Sequence, residues 1–358
     1  MEIMATKAAF IDLYADTKSK PTDPMRQAIA SAVVGDEQKD EDPTVLEICR
    51  RVALLMGKEA AIWLPSGTMA NQIALQVHCK PGDEIICDKT AHVINFEGGG
   101  PAANAGVMYH VLEGQDGIYT AAQLAEALSR PPSRYGPNTR LVWVEQTSNI
   151  GGGTIWPLQT IREIAQQAKK AGLLMHMDGA RIMNAVVASG IAANAYAEPF
   201  DSVWMDFTKG LGCPAGAVLT GSKEFIAQAW RVKQRMGGAM RQAGFLAAAA
   251  IYALDHHVER LATDHDHASM LAEGLGEIPG IKVLRKTGTT NIVFFDVADT
   301  GFAAAKVVSA AREEGLGLGA FGPTLMRVVT YVNISRADVE EALLRLRVVF
   351  KKLAAPAN

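Results

Sequence analysis

The residues with the clearest capacity for chemistry lie in the stretch Ser202-Val203-Trp204-Met205-Asp206-Phe207-Thr208-Lys209-Gly210-Leu211-Gly212. A short apolar run that ends in a hydroxyl, a lysine and glycines reads as a buried strand delivering Lys209 to the carboxyl edge of a sheet, where open α/β folds bind ligands. A desolvated amine there can condense with an aldehyde, and Gly210 and Gly212 let the backbone pass close to a bulky group. Taken alone, the same residues also describe a solvated strand–loop junction.

Three upstream groups change that reading. Ser66-Gly67-Thr68 follows the apolar run Ala60 to Leu64 and opens a helical run to about Val77. A strand, a tight turn and a helix start point backbone N–H groups and a hydroxyl at an anion, although plain helix capping uses the same residues. His92 stands five residues before Glu97 and the run Gly98-Gly99-Gly100, which suits stacking on a flat ligand or moving a proton, as well as capping or core packing. Asp178 ends the apolar run Leu173 to Met177. It is either the first half of an Asp-Gly turn or a buried carboxylate that needs a cation, for which a protonated heteroaromatic nitrogen is suitable. Jointly these groups offer a phosphate site, a ring-face partner, a counter-ion for a pyridinium and an aldehyde-condensing amine. Pyridoxal 5'-phosphate asks for all four.

The elements that must position these residues alternate strand with helix from Ala60 to Val218, the sign of an α/β fold with a mostly parallel sheet flanked by helices. Before it, a helix over Met25 to Val34 is expected after Pro21 and Pro24, and a second over Val45 to Met56 with Thr44 as its cap. Pro131 to Asn138 reads as a surface loop. After Val218, the pattern predicts a helix from Lys223 to Met236, a long helical region from Met240 to about Leu271, then a small α+β unit closed by a helix over Arg336 to Leu353. The expected division is a large cofactor-binding domain over residues 1–260 and a small C-terminal domain over 261–358. The cluster His256, His257, Glu259, His265 and His267 is interleaved with Asp264 and Asp266 and reads as a solvated face, so no metal is expected.

With 49% hydrophobic residues, 20% charged, 33 glycines and a net charge of −3, the 358-residue chain has a globular profile with no basic footprint for nucleic acid. No apolar run approaches the roughly 20 residues needed to cross a bilayer, and Met1 to Phe10 lacks the pattern of a signal peptide. Cys49, Cys79, Cys87 and Cys213 show no CxxC spacing and read as reduced thiols, so a cytoplasmic location is expected.

The sequence resembles the threonine aldolase group of the β-eliminating lyase family, within the aspartate-aminotransferase-type fold of pyridoxal phosphate enzymes. The segments that carry the resemblance include Leu64-Pro65-Ser66-Gly67-Thr68-Met69-Ala70-Asn71, Ala91-His92 with Glu97-Gly98-Gly99, His176-Met177-Asp178-Gly179-Ala180-Arg181, Thr208-Lys209-Gly210-Leu211-Gly212 and Gly237-Gly238-Ala239-Met240-Arg241-Gln242. The resemblance implies that Lys209 holds the cofactor as a Schiff base while Asp178 keeps its ring nitrogen protonated. Ser66, Gly67, Thr68 and Thr208 would take the phosphate, with Arg241 reaching in from a neighbouring subunit. His92 would stack on the ring and serve as a candidate base, and Arg181 and Arg327 would meet the cofactor and the substrate carboxylate.

The implied reaction is retro-aldol cleavage of L-threonine, L-allo-threonine and related β-hydroxy-α-amino acids to glycine and an aldehyde, in a homotetramer with shared sites. β-Elimination or transamination on the same cofactor is the alternative. The chain departs from the group at Glu145-Gln146-Thr147-Ser148-Asn149, where Ser148 replaces a histidine that helps bind the substrate hydroxyl, and at Ala15, where the group has a serine. Loss of the imidazole at 148 is expected to loosen control over the β-carbon and widen the space for larger aldehydes. Borohydride reduction of the cofactor-loaded protein followed by peptide mapping is expected to label Lys209; a label on another lysine would refute the assignment.

Overall fold

The computed structural model describes residues 10–131, 133–284 and 290–355. Met1 to Ala9, where no signal peptide is expected, and Pro132 of the expected surface loop lie outside the described residues. In chain order the strands are β1 (Ile11–Asp12), β2 (Ala60–Leu64), β3 (Asp83–Asp88), β4 (Met108–Leu112), β5 (Asn138–Glu145), β6 (Leu174–Gly179), β7 (Ser202–Asp206), β8 (Ala217–Gly221), β9 (Lys282–Val283), β10 (Ile292–Asp296), β11 (Leu316–Gly317), β12 (Gly319–Ala320) and β13 (Leu325–Val329).

Seven of them form the main sheet in the order β2-β8-β7-β6-β5-β3-β4. From β7 to β4 every pair is parallel, and β8 alone is reversed, antiparallel to both β7 and β2. It follows that β2 runs the same way as β7, so β2, β3, β5, β6 and β7 all end at one edge. Strands covered on both faces read as unbroken apolar runs, and β7 and the Leu141–Glu145 part of β5 are buried throughout. This is the α/β class expected, with a mostly parallel sheet and a smaller α+β unit after it.

The smaller unit has a four-stranded antiparallel sheet, β12-β13-β10-β9, and the helices Leu261–Gly276, Ala304–Glu313 and Arg336–Ala354. One apolar core extends from Met25 to Leu261, and another collects residues between Ala268 and Phe350 together with Ile11 and Leu13. The N-terminal segment thus joins the C-terminal unit: β1 pairs in parallel with β11, and Leu13 accepts a hydrogen bond from the Val329 N–H.

Several local expectations need correction. The first helix is Asp23–Ala30 rather than Met25 to Val34, because Pro24 fits a first turn whose N–H groups have no partner inside the helix. Asp42, not Thr44, caps the helix Pro43–Met56 by accepting from the N–H groups of Thr44 and Val45. The long helical region is two helices, Gly244–His256 and Leu261–Gly276, separated where the buried His257 donates from Nδ1 to the Leu211 carbonyl at 2.7 Å. The histidine-rich stretch is not a uniformly solvated face either: His257, Asp264 and His267 are buried, whereas His256, Glu259 and Asp266 are exposed. Helical periodicity turns Asp264 and His267, three residues apart, inward against the fold, while His257 lies between the two helices.

Within the sheet packing, His78 Nε2 and His176 Nδ1 lie 2.6 and 2.7 Å from the same Ser202 hydroxyl. One hydroxyl can donate to only one of them, so the other ring donates to it. Burial, reinforced by Arg140, lowers His78 to about 4, and burial lowers His176 as well. The unfolded chain protonates such rings from about pH 6.5, so it binds more protons than the fold between there and pH 4, and stability falls as pH falls through that window. A His78→Asn variant is expected to lose roughly 2 kcal/mol less stability than the parent between pH 7 and 4.5. Urea unfolding at the two pH values checks this, and an unchanged difference would refute it.

Candidate active site

The common strand edge opens into a cleft of about 370 Å³. Of the residues singled out by sequence, Ser66, Gly67, Thr68, His92, Asp178, Arg181, Thr208, Lys209 and Arg327 line it. Ser148 and Arg241 do not. Ser148 is buried behind the edge, where its hydroxyl accepts from the Gly151 N–H at 3.2 Å. Arg241 is mostly exposed and paired with Asp36 at 2.9 Å.

The cup forms where β2 gives way to the helix Gly67–His78. Ser66 is the extended cap and accepts from the Met69 N–H at 3.3 Å, while the first N–H groups of any helix have no partner inside it and favour an anion. Gly67 is required for a packing reason, since a Cβ there would come within 2.1 Å of the Trp204 ring. At the end of β7, Asp206 accepts from both the N–H and the hydroxyl of Thr208, at 3.1 and 2.9 Å, and also pairs with the Lys209 ammonium. That amine lies 5.7 Å from the centre of the Trp204 ring.

Asp178, the penultimate residue of β6, is fully enclosed. Its two oxygens accept from the Ala180 N–H at 3.0 Å and the Asn71 amide at 2.9 Å. Asn71 also donates to Glu97 at 2.6 Å and accepts from the Trp204 indole at 2.6 Å, so one amide ties helix, loop and strand together. His92 begins the short helix His92–Asn95 rather than ending a strand, because β3 closes at Asp88 and a turn intervenes. Its Nδ1 is 2.9 Å from Glu97, and its backbone N–H donates to Glu145 at 2.6 Å.

The electrostatics of this group are unusual. Burial opposes protonation of His92, yet its bond to Glu97 and the charges of Asp178, Glu97 and Glu145 prevail and raise its pKa. Burial raises Asp178 against the opposing pull of His92, Asn71 and Lys209. Glu145 goes up to about 7, through burial and then the neighbouring Asp178.

Two guanidinium groups face the other side of the cleft. Arg181 is clamped by Asp16 through two bonds of 2.7 and 2.8 Å. Burial works to raise Asp16, but Arg181 outweighs it and the carboxyl is held down to about 2. Arg327 donates to Asn149 at 2.9 Å and to the Tyr14 carbonyl at 3.3 Å, and its buried Nε finds no hydrogen-bond partner among the described residues. Burial, then repulsion from Arg181, lowers it to about 10.

Sequence reasoning did not single out Asn71, Asp16, Asn149 or Asp206 as part of the site. Only Asp206 carried a local signal, standing three residues before Lys209 at the end of the same apolar run. The others matter through partners far along the chain.

Residues 12–299 match the family model for β-eliminating lyases, and the chain belongs to that family. It is similar to the probable low-specificity L-threonine aldolase 2 of Arabidopsis thaliana, at 37% identity over 345 residues, covering 95% of this chain and 97% of the relative. The low specificity L-threonine aldolase of Escherichia coli K12 is likewise 37% identical, over 332 residues, with 92% of this chain and 96% of the relative covered. Among solved structures, a Leishmania major threonine aldolase superposes with a TM-score of 0.81 at 19% identity, over 96% of this chain and 100% of that one, a likeness of fold.

Because the Asn71 amide satisfies two buried carboxylates and an indole at once, Asn71→Ala is expected to cost about 3 kcal/mol. Denaturant unfolding of the protein without added cofactor checks this, and a loss below about 0.5 kcal/mol would contradict it.

Proposed function

We propose that this chain is a carbon–carbon lyase of threonine aldolase type that uses pyridoxal 5'-phosphate to split L-threonine, L-allo-threonine and related β-hydroxy-α-amino acids into glycine and an aldehyde. The observation that carries the reading is the meeting of Lys209, Asp178 and the Ser66–Thr68 cup at one sheet edge, opposite Arg181 and Arg327. The residues fit the cofactor on charge. Asp178, Glu97 and Glu145 are buried within one hydrogen-bonded group that contains His92 and Asn71, while Lys209 is paired with Asp206. A buried carboxylate in that setting calls for a further cation, which a protonated pyridine nitrogen at Asp178 provides.

In this reading Ser66, Gly67, Thr68 and Thr208 would hold the phosphate, and Lys209 would supply the amine that binds the cofactor aldehyde. The chemistry the bound group supplies is uptake of the electron pair left on Cα when the Cα–Cβ bond breaks. Arg327, with Arg181, binds the substrate carboxylate through paired hydrogen bonds and so fixes which Cα substituent is presented for cleavage. His92, held by Glu97, lies on the ring-face side and takes the β-hydroxyl proton. Asp206 pairs with Lys209 and so positions its amine at the end of β7. Ser148, behind the edge, adds no second imidazole to the cleft, which leaves His92 as the imidazole of this reading.

The proposal extends to assembly. Arg241 does not line its own cleft and is largely exposed, and in this reading the protein is a tetramer in which it reaches a neighbouring phosphate cup. A cytoplasmic location and a division into domains near residue 260 belong to the same reading.

Purified protein loaded with pyridoxal phosphate is expected to release glycine and acetaldehyde from L-threonine or L-allo-threonine, or glycine and an aryl aldehyde from an aryl-serine. Lys209→Ala should lose at least about a thousandfold in kcat. Visible cofactor absorbance without cleavage of any of these substrates would overturn the proposal.

A further inference from the structure

Arg327 is a buried cation held by few groups. Its neighbour Arg181 has Asp16, but among the described residues no carboxylate forms an ion pair with Arg327, whose donors reach only the Asn149 amide oxygen and a backbone carbonyl. What covers its flat face is Phe321. The guanidinium carbon lies 4.2 Å from the centre of that ring.

The local backbone is built to present the ring. Phe321 follows β12, and its N–H donates to the Leu325 carbonyl at 2.8 Å, closing a tight turn into β13. In the ladder, Gly319 stands directly opposite Arg327. A Cβ at Gly319 would come within 3.0 Å of the Phe321 ring, so the glycine leaves the room in which the ring lies. Phe294, also in register with Arg327 across β10 and β13, meets Phe321 edge to face at 5.4 Å and 83°. These rings belong to a small apolar cluster with Ile292 and Val329, separate from both large cores, and Phe321 lines the cleft.

We propose that Phe321 is a positioning residue whose ring face holds Arg327 flat and ready for the carboxylate of an amino-acid substrate. This rests on the reading of Arg327 as the carboxylate receptor. A ring face attracts a cation electrostatically without occupying its N–H donors, and the attraction grows where water is excluded. Asn149 and the Tyr14 carbonyl each take one of the five N–H donors of Arg327 and Phe321 takes the face, so donors of the two terminal nitrogens remain for an incoming anion. An acidic residue in place of Phe321 would neutralise Arg327 and compete with substrate; an aliphatic one would leave the plane free to rotate.

The test compares Phe321→Leu, which keeps apolar bulk without the ring face, with Phe321→Tyr, which keeps the face. Each holoenzyme is titrated with glycine and with glycinamide, which lacks the carboxylate, and binding is read from the cofactor absorbance. The Leu variant is expected to bind glycine about tenfold more weakly, with glycinamide affinity within about twofold of the parent, and the Tyr variant is expected to match the parent for both. Glycine affinity unchanged in Phe321→Leu overturns the proposal, and so does an equal loss for glycine and glycinamide, which marks general packing. Turnover is measured separately. Failure of the parent enzyme to cleave any β-hydroxy amino acid overturns the function proposed above, whereas the glycine-to-glycinamide contrast alone decides the role of Phe321.

Discussion

The molecule depends on keeping a group of carboxylates buried at the carboxyl edge of its main sheet. Asp178, Glu97, Glu145 and Asp206 are all enclosed there, and none could stay without a donor aimed at it. The donors are the Asn71 amide, the backbone N–H groups of Ala180, His92 and Asn149, and the hydroxyl and ammonium of Thr208 and Lys209. They come from the segments after β5, β6 and β7, from the start of the short helix at His92 and from the helix that carries Asn71, so the charge arrangement ties those segments together above the apolar core. The cost of burying so much negative charge appears in the raised pKa values of Asp178 and Glu145. A site preloaded in this way favours a cationic group over a neutral one.

On the opposite wall the sign reverses. Arg181 and Arg327 repel each other, and the protein resolves this unequally. Arg181 is neutralised by Asp16 through a bidentate clamp, while Arg327 is left with an amide, a carbonyl and a ring face. Both share Asn149, whose amide oxygen is 2.9 Å from one guanidinium and 3.4 Å from the other. Asn149 in turn is held through its N–H by Glu145, so the acidic and basic walls are joined by a single residue. Hydrogen bonds through Asn149 therefore help to set the two walls of the cleft relative to each other.

Much of the fold was legible in the sequence because its signals are local. Unbroken apolar runs mark strands covered on both faces, and a polar residue that ends such a run falls at the sheet edge; this is how Lys209 and Asp178 could be placed without coordinates. Reversal of β8 was not legible, since an apolar run does not state its direction. Helix ends were read with less success where two candidates competed: Asp42 took the cap expected of Thr44, and His257 broke a helical pattern through a bond to a distant carbonyl. Asp16, Asn71 and Asn149 escaped notice for a related reason. Each is an ordinary polar residue in its own neighbourhood and acquires meaning only from partners more than a hundred positions away, Arg181, Asp178 and Arg327. The histidine-rich stretch misled in the opposite sense, because alternating charges suggested water on all sides of a helix that turns one face inward.

The pairing of β1 with β11 carries a consequence for how this protein comes into being. Ile11 is synthesised well before its partner Leu316 and the Val329 amide that binds Leu13. Asp16, which quiets Arg181 beside the cleft, follows directly after this strap. The main sheet can therefore assemble on the nascent chain, while the segment at β1 stays undocked until β11 and β13 have been made. Docking of the segment that carries Asp16 thus waits on strands made after the sheet that contributes most of the cleft.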